Sequence, residues 1–309
     1  MRGKAPGVAR RRLRCLVART KNVGCLAGVA LAFGACGGGG NSDDLPDAGP
    51  VADGNLAPDF TRSPAFVDVR TRTFGPDQGD ALVRARMVTT ADPTPYEFGA
   101  VQDGCRAAAR RTCTPACDVV ELCDGGGTCH SLDDSLDAGP VSVTGGVSPI
   151  TLAHADGYVF YEGTPIISAD DAITATTSAG ALGDFSATDT QPAAIELIDI
   201  EALTLAVGQP LTIRWTPAQG DTRVRISLGA DLGHAQYRSY LVECDLPDAA
   251  GEVTIPQAFV DELADPTNWS CGDCFSHEVA RYRVARTTSS TGADVELRLM
   301  ATASLYLTP

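Results

Sequence analysis

The chain has 309 residues, 24 lysines and arginines against 39 aspartates and glutamates, and a formal net charge of −15 at pH 7. An acidic excess of that size repels phosphate backbones and argues against nucleic acid as a partner. The length is enough for about two domains with cores of their own.

Eight basic residues, from Arg2 to Lys21, precede the first acidic one, Asp43, and residues 23–35 form an apolar run of 13. A membrane-spanning helix needs about 20 such residues, so residues 1–35 read as the charged and hydrophobic regions of a signal peptide. The run ends in Leu31-Ala-Phe-Gly-Ala-Cys36 followed by four glycines, which resembles the signal peptidase II site of bacterial lipoproteins. That resemblance implies lipidation of Cys36, which becomes the mature N-terminus. Phe33 stands where leucine is usual, and an ordinarily cleaved signal or an uncleaved anchor are the alternatives. Cleavage before Cys36 removes the eight basic residues and leaves 274 residues with 16 basic against 39 acidic ones, a net charge of −23.

Residues 36–59 are rich in Gly, Asp and Pro and have almost nothing to bury. They are expected to form a disordered tether that holds the folded part on the order of 25 Å from a membrane surface. The first ordered block, 60–192, opens with two runs of period two. Val67 and Val69 alternate with Asp68 and Arg70, then Val83, Ala85 and Met87 with Arg84 and Arg86, around the turn residues Gly75-Pro-Asp-Gln-Gly79. Half-buried strands joined in a hairpin account for this.

A cysteine cluster follows inside this block, over residues 105–130. Cys113, Cys117, Cys123 and Cys129 are spaced C-x3-C-x5-C-x5-C, with Cys105 before them. So short a segment cannot build a core, and bridges worth about 2 to 4 kcal/mol each have to hold it. Cys244, Cys271 and Cys274 complete a set of eight in the mature chain, an even number, as an oxidising compartment favours. Five lie in the first half and three in the second, so complete pairing needs one bridge between the halves, or else two thiols stay free; a bond from Cys105 to one of Cys244, Cys271 or Cys274 would tie the halves together.

After a Ser/Asp-rich joint at 131–140, short strands resume around Val141, Val143, 158–161, Ile166-Ile167 and 173–176. They are expected to share a β core with the strands before the cluster, which becomes a stapled excursion. In the C-terminal block, 193–309, Leu211, Ile213 and Trp215 alternate with polar residues, as do Val224, Ile226 and Leu228. The last run puts Val295, Leu297, Leu299, Ala301, Ala303, Leu305 and Leu307 on one face and Glu296, Arg298, Thr302 and Ser304 on the other. One helix is predicted at 256–264, with Pro256 in its first turn, Phe259 and Leu263 on one face and Pro266 as a stop. The fold class is therefore mainly β: two antiparallel β domains, the C-terminal one an Ig-like β-sandwich, linked by a small disulfide-rich segment behind a disordered N-terminus.

The lipobox, the Gly/Asp/Pro tether, the CTPAC…C…GGGTC cluster and a terminal β block containing VECDLPDAAG resemble envelope lipoproteins of GC-rich Gram-negative bacteria. The resemblance implies architecture and a place in the cell envelope, lipid-anchored at the outer membrane, and it implies no reaction. The expected partners are the membrane, through the lipid anchor, and an envelope protein or glycan.

Cys271-Gly-Asp-Cys274 with His277 offers a redox dithiol or a zinc site as alternatives to a structural disulfide. The context of strands and loops lacks the helix N-terminus that activates a thiol, and Cys244 is the only nearby fourth ligand. The histidines are His130, His154, His234 and His277, and no nucleophile elbow, HExxH, Walker or Rossmann pattern accompanies them. The sequence thus assigns no catalytic residues, no metal ligands and no cofactor; a hydrolase-like site assembled only by folding is the alternative to a binding, adhesion or structural module. Asp170-Asp171, Asp231 and the acidic residues of 245–248 read as solvated turns. Arg70, Arg72, Arg84, Arg86, Arg223, Arg225, Arg281 and Arg283 read as exposed strand faces.

Overall fold

The computed structural model describes residues 57–305 and 307, except 76–77, 90–93, 119–120, 132–134, 165, 179, 201–202, 232–237 and 266–276. The protein is mainly β. In chain order, β1 (Ala65–Gly75) and β2 (Gln78–Arg86) form the expected hairpin, and β3 (Tyr96–Phe98) and β4 (Cys105–Arg110) a second antiparallel pair. β5 (Glu121–Cys123) and β6 (Cys129–Ser131) pair within the cysteine cluster. β7 (Val141–Thr144), β8 (Ile150–Leu152), β9 (Val159–Glu162), β10 (Ala172–Thr177) and β11 (Phe185–Thr190) follow. The C-terminal block supplies β12 (Leu197–Ile198), β13 (Leu211–Trp215), β14 (Arg223–Asp231), β15 (Arg238–Pro247), β16 (Glu252–Ile255), helix α1 (Gln257–Ala264), β17 (His277–Thr288) and β18 (Asp294–Leu305).

One nine-stranded sheet, ordered β3-β4-β15-β14-β17-β18-β1-β2-β9, takes strands from both sequence blocks. They meet where β18 runs parallel to β1, Val67 opposite Leu297 and Val69 opposite Leu299, in an otherwise antiparallel sheet. Two smaller sheets pack on its apolar face. The four strands β11-β10-β7-β8 enclose one core with Val67, Val69, Val83, Leu297 and Leu299. The three strands β12-β13-β16, with α1, enclose a second with Val224, Ile226, Leu228, Val242 and Val279. The odd-numbered residues of β18 serve both, with 295–299 in the first core and Leu305 in the second.

Helix α1 starts one residue later than expected, because Pro256 stands at its N-cap. It buries Val260, Leu263 and Ala264, while Phe259 is only partly covered. Trp215 is fully buried in the second core, and its Nε1 donates to Asp248 O at 2.9 Å, so its one polar group is satisfied.

Between the cores the sheet's inner face carries charge. Arg281 and Asp248, expected on an exposed strand and in a solvated turn, are both buried. Arg281 Nε and Nη2 donate to the two carboxylate oxygens of Asp248 at 2.7 and 3.1 Å, and Nη1 donates to Ala194 O at 2.6 Å. Asp248 also accepts from Thr222 Oγ1 at 2.8 Å and Ala218 N at 3.0 Å. The local sequence signal, a charged residue alternating with apolar ones, places Arg281 on the same strand face as Val279, and that face is interior here. Strand periodicity identifies a face without saying which side is wet.

Candidate functional site

Two surfaces carry the polar chemistry of the described residues: the disulfide-stapled segment beyond β4 and the outer face of the nine-stranded sheet.

The stapled segment is built by its bridges. Cys113 joins Cys123 and Cys117 joins Cys129, closing loops of 10 and 12 residues. The sulfurs of Cys113, Cys117 and Cys129 lie within 4.8 Å of one another, and each is already in a covalent S–S bond. Asp124 organises the turn between β5 and β6: its Oδ1 accepts from Gly126 N and Thr128 N, both at 2.8 Å, and its Oδ2 lies 2.7 Å from His130 Nε2. The Thr128 N–H first, and then His130, hold the Asp124 carboxyl below the usual carboxylate range. The Gly127 backbone is left-handed, with φ 78°, which a side chain rarely tolerates. Arg111 lies over this turn, close enough that a Cβ on Gly125 would meet its Nη1 at 2.7 Å. Glu97, Arg110, Arg111, Thr112 and Asp124 line an open polar cleft of about 410 Å³.

The third bridge is of another kind. Cys105 and Cys244 face each other on β4 and β15, both fully buried, and the bond spans 139 residues of sequence. It joins the halves through one of the three pairings expected for Cys105. Cys36, Cys271, Cys274 and His234 lie outside the described residues. His154 Nε2 is 2.9 Å from Ser135 O. His277 is buried on β17, where Gly229 N donates to its Nδ1 at 3.3 Å. Burial, and then the nearby Arg238, push its pKa down to about 4.

The outer sheet face is a ladder of guanidinium and carboxylate groups. Register puts Phe66, Asp68, Arg70 and Arg72 of β1 beside Arg84 and Arg86 of β2 on one flank. Beyond them lie Glu296 and Arg298 of β18, then Tyr282 and Arg286 of β17. Arg223 and Arg225 of β14, Glu243 and Asp245 of β15, and Arg106 of β4 continue the row. On the polar side of β18, opposite its apolar face, Glu296 and Arg298 are buried, as is Asp68 of β1. They lie in the middle of a wide sheet and cover one another: Arg298 Nε donates to Glu296 Oε2 at 2.7 Å, and Arg84 holds Asp68 through Nε and Nη2 at 2.9 and 2.8 Å. Asp245, expected in a solvated turn, is also buried and is held by Arg223, Arg225 and the Tyr282 hydroxyl.

Residues 57–64 lie along this ladder. Arg223 Nη2 donates to Ala57 O, Arg225 Nη2 to Asp59 O and Arg298 Nη2 to Ser63 O, at 3.3, 3.1 and 3.2 Å. Asp59 N donates to Asp245 Oδ1 at 3.2 Å, and the Asp59 carboxylate accepts from Arg286 Nη2 at 2.8 Å. Phe60 and Phe98 lie on Arg106, with ring centroids 4.1 and 3.7 Å from its Cζ, while Arg106 Nε and Nη2 hold Glu243. Burial, and then the neighbouring Arg225, bring the Arg62 pKa down to about 10. Burial likewise lifts the Tyr282 hydroxyl to about 12. Residues 57–59, the last of the expected tether, thus belong to the folded structure. Their sequence signal is slight: one aspartate and one proline before Phe60.

Among the described residues no helix is long and apolar enough to cross a membrane. No known protein family matches the chain, and no characterised protein matches its sequence.

Proposed function

We propose that this chain is an exported, lipid-anchored component of the cell envelope that binds an envelope protein or glycan without transforming it. The observation that carries the reading is the set of three disulfides, one of them buried between β4 and β15. Reducing compartments keep such thiols free, so a fold that builds a bridge into its core belongs to an oxidising one. The lipobox-like segment at Cys36 supplies the address and the anchor. The stapled turn between β5 and β6 supplies a contact surface: its shape is fixed by covalent bonds and Asp124, and its cleft is lined by Arg110 and Arg111 together with Glu97 and Asp124. Mixed charge in an open polar cleft suits hydrogen-bonded recognition of a peptide or sugar.

The experiment is cross-linking of the lipidated protein in intact envelopes, followed by mass spectrometry, with wild type compared with Arg111→Glu. A partner captured by wild type and lost on charge reversal supports a binding module with its contact at the cleft. Turnover of ester, amide or glycoside substrates by the purified protein, abolished by His130→Ala, would replace this reading by the hydrolase alternative.

A further inference from the structure

All 16 basic residues of 37–309 are arginines. By register, eleven of them lie on the outer face of the nine-stranded sheet: Arg110 of β4, Arg238 of β15, whose Nη1 donates to Ser227 Oγ at 2.8 Å, and the nine already placed there; Arg62, in the segment laid along that face, makes twelve. Nine acidic residues share the face by register, namely Asp59, Asp80, Asp231, Glu278, Asp294 and the four buried or half-buried in the ladder. It is therefore a basic surface on an acidic protein, whose other four arginines are set against 30 acidic residues. Salt screens charges beyond about 8 Å, and packed sheets lie about 10 Å apart, so an approaching surface meets the arginines with the acidic layers largely screened.

Two further features share this face. Val159 and Tyr161 of β9 stand opposite Arg84 and Leu82 of β2, and their exposures of 52% and 63% make them two of the most open large apolar side chains. Tyr161, two residues along β9 from the Val159–Arg84 pair and with its hydroxyl donating to Asp80 Oδ2 at 3.4 Å, suits a headgroup boundary, where the ring meets the apolar side and the hydroxyl the polar one. The chain also enters the fold here, Ala57 being held by Arg223 with 20 residues between it and Cys36.

We propose that this arginine face, with Tyr161 and Val159 at its β9 edge, lies against the phosphate layer of an anionic phospholipid membrane. The proposal rests on the reading of Cys36 as lipidated, which holds the chain at a membrane surface. Guanidinium forks match phosphate oxygens in pairs. Arg84 and Arg286, 42% and 49% exposed, reach furthest from the ladder, while Arg223 and Arg225 stay bound to Asp245.

The test uses the full lipidated protein in vesicles of phosphatidylcholine alone or with roughly one-third phosphatidylglycerol. Oxidative footprinting at Tyr161 and dicarbonyl labelling at Arg84 and Arg286 are read by mass spectrometry. Labelling of all three is expected to fall in anionic vesicles relative to neutral ones and to return in about 0.5 M salt. Each arginine contributes about five-fold to docking. Arg84→Gln/Arg286→Gln should therefore abolish the difference at Tyr161, as should Val159→Ser/Tyr161→Ser at Arg84, the second variant changing only exposed side chains. Equal labelling in both vesicles overturns the proposal, and so does equal protection by soluble dextran sulfate without lipid, which would assign the face to an acidic polymer. Failure to enter neutral vesicles overturns the lipid anchor instead. The face is then decided by footprinting the unanchored chain with anionic vesicles: protection sustains it and its absence overturns it.

Discussion

Asp248→Ala breaks the ion pair between the two cores. The change removes the only carboxylate bonded to Arg281 among the described residues and leaves a guanidinium that is 2% exposed without its counter-charge. It also takes an acceptor from Thr222 Oγ1 and Ala218 N. Breaking a buried pair on one side costs about 3–5 kcal/mol. At about 2–4 °C per kcal/mol for a domain of this size, the midpoint of thermal unfolding should fall by roughly 10 °C. Arg281→Met should cost about 3 kcal/mol, because Asp248 keeps Thr222 and Ala218 as donors. Arg281→Met with Asp248→Leu should recover most of the loss, since an apolar pair of similar volume carries no desolvation penalty. Urea unfolding of the oxidised full chain, followed by tryptophan fluorescence, closes the double-mutant cycle. An Asp248→Ala protein within about 1 kcal/mol of wild type would refute the interior placement of Arg281.

Acid should destabilise the fold through His277. Its folded pKa of about 4 is below the ordinary 6.5, so the unfolded chain takes up the proton first as pH falls. The stability is fully present above pH 6.5 and is lost between 6.5 and 4, by about 3 kcal/mol. Urea titrations across that range should show the slope, and His277→Asn should flatten it. Replacing Cys105 and Cys244 by alanine opens a 139-residue loop and should cost about 4–5 kcal/mol by chain entropy, measured as a lower urea midpoint. Replacing Cys117 and Cys129 should leave the free energy of global unfolding within about 1 kcal/mol of wild type while raising protease cleavage between β5 and β6, since the stapled segment adds little to either main core. Phe60→Ala removes one of the two rings on Arg106 and should speed proteolysis at residues 57–64, with a loss of about 1 kcal/mol.

The strands were legible wherever one side is dry. Val67 and Val69, Leu211 and Ile213, and Val224 to Leu228 advertise their inward faces by strict alternation, and the hairpin turn at Gly75 is written in its residues. The cysteine count also carried structural information, because with odd numbers in each half complete pairing requires a bridge such as Cys105 to Cys244. Alternation does not disclose a sheet whose polar side is covered as well. Asp68, Glu296 and Arg298 look like solvent residues one at a time and become buried only because β1, β18 and β17 lie at the centre of nine strands. The parallel pairing of β1 with β18 joins residues some 230 positions apart, and no local pattern encodes that distance. The segment at 57–64 was illegible for the same reason: its partners, Arg106, Arg223 and Arg298, come from three distant strands. For the cleft, only the cysteine spacing and the glycine run were visible in advance, and its arginines and Glu97 meet through folding.

Intact mass spectrometry of the protein isolated from the membrane fraction, alkylated with and without prior reduction, tests the central claim most directly. The account expects a chain that begins at an acylated Cys36 and in which Cys105, Cys113, Cys117, Cys123, Cys129 and Cys244 become alkylated only after reduction. A chain that retains the residues before Cys36, carries no lipid and is alkylated at all its cysteines without reductant would contradict it.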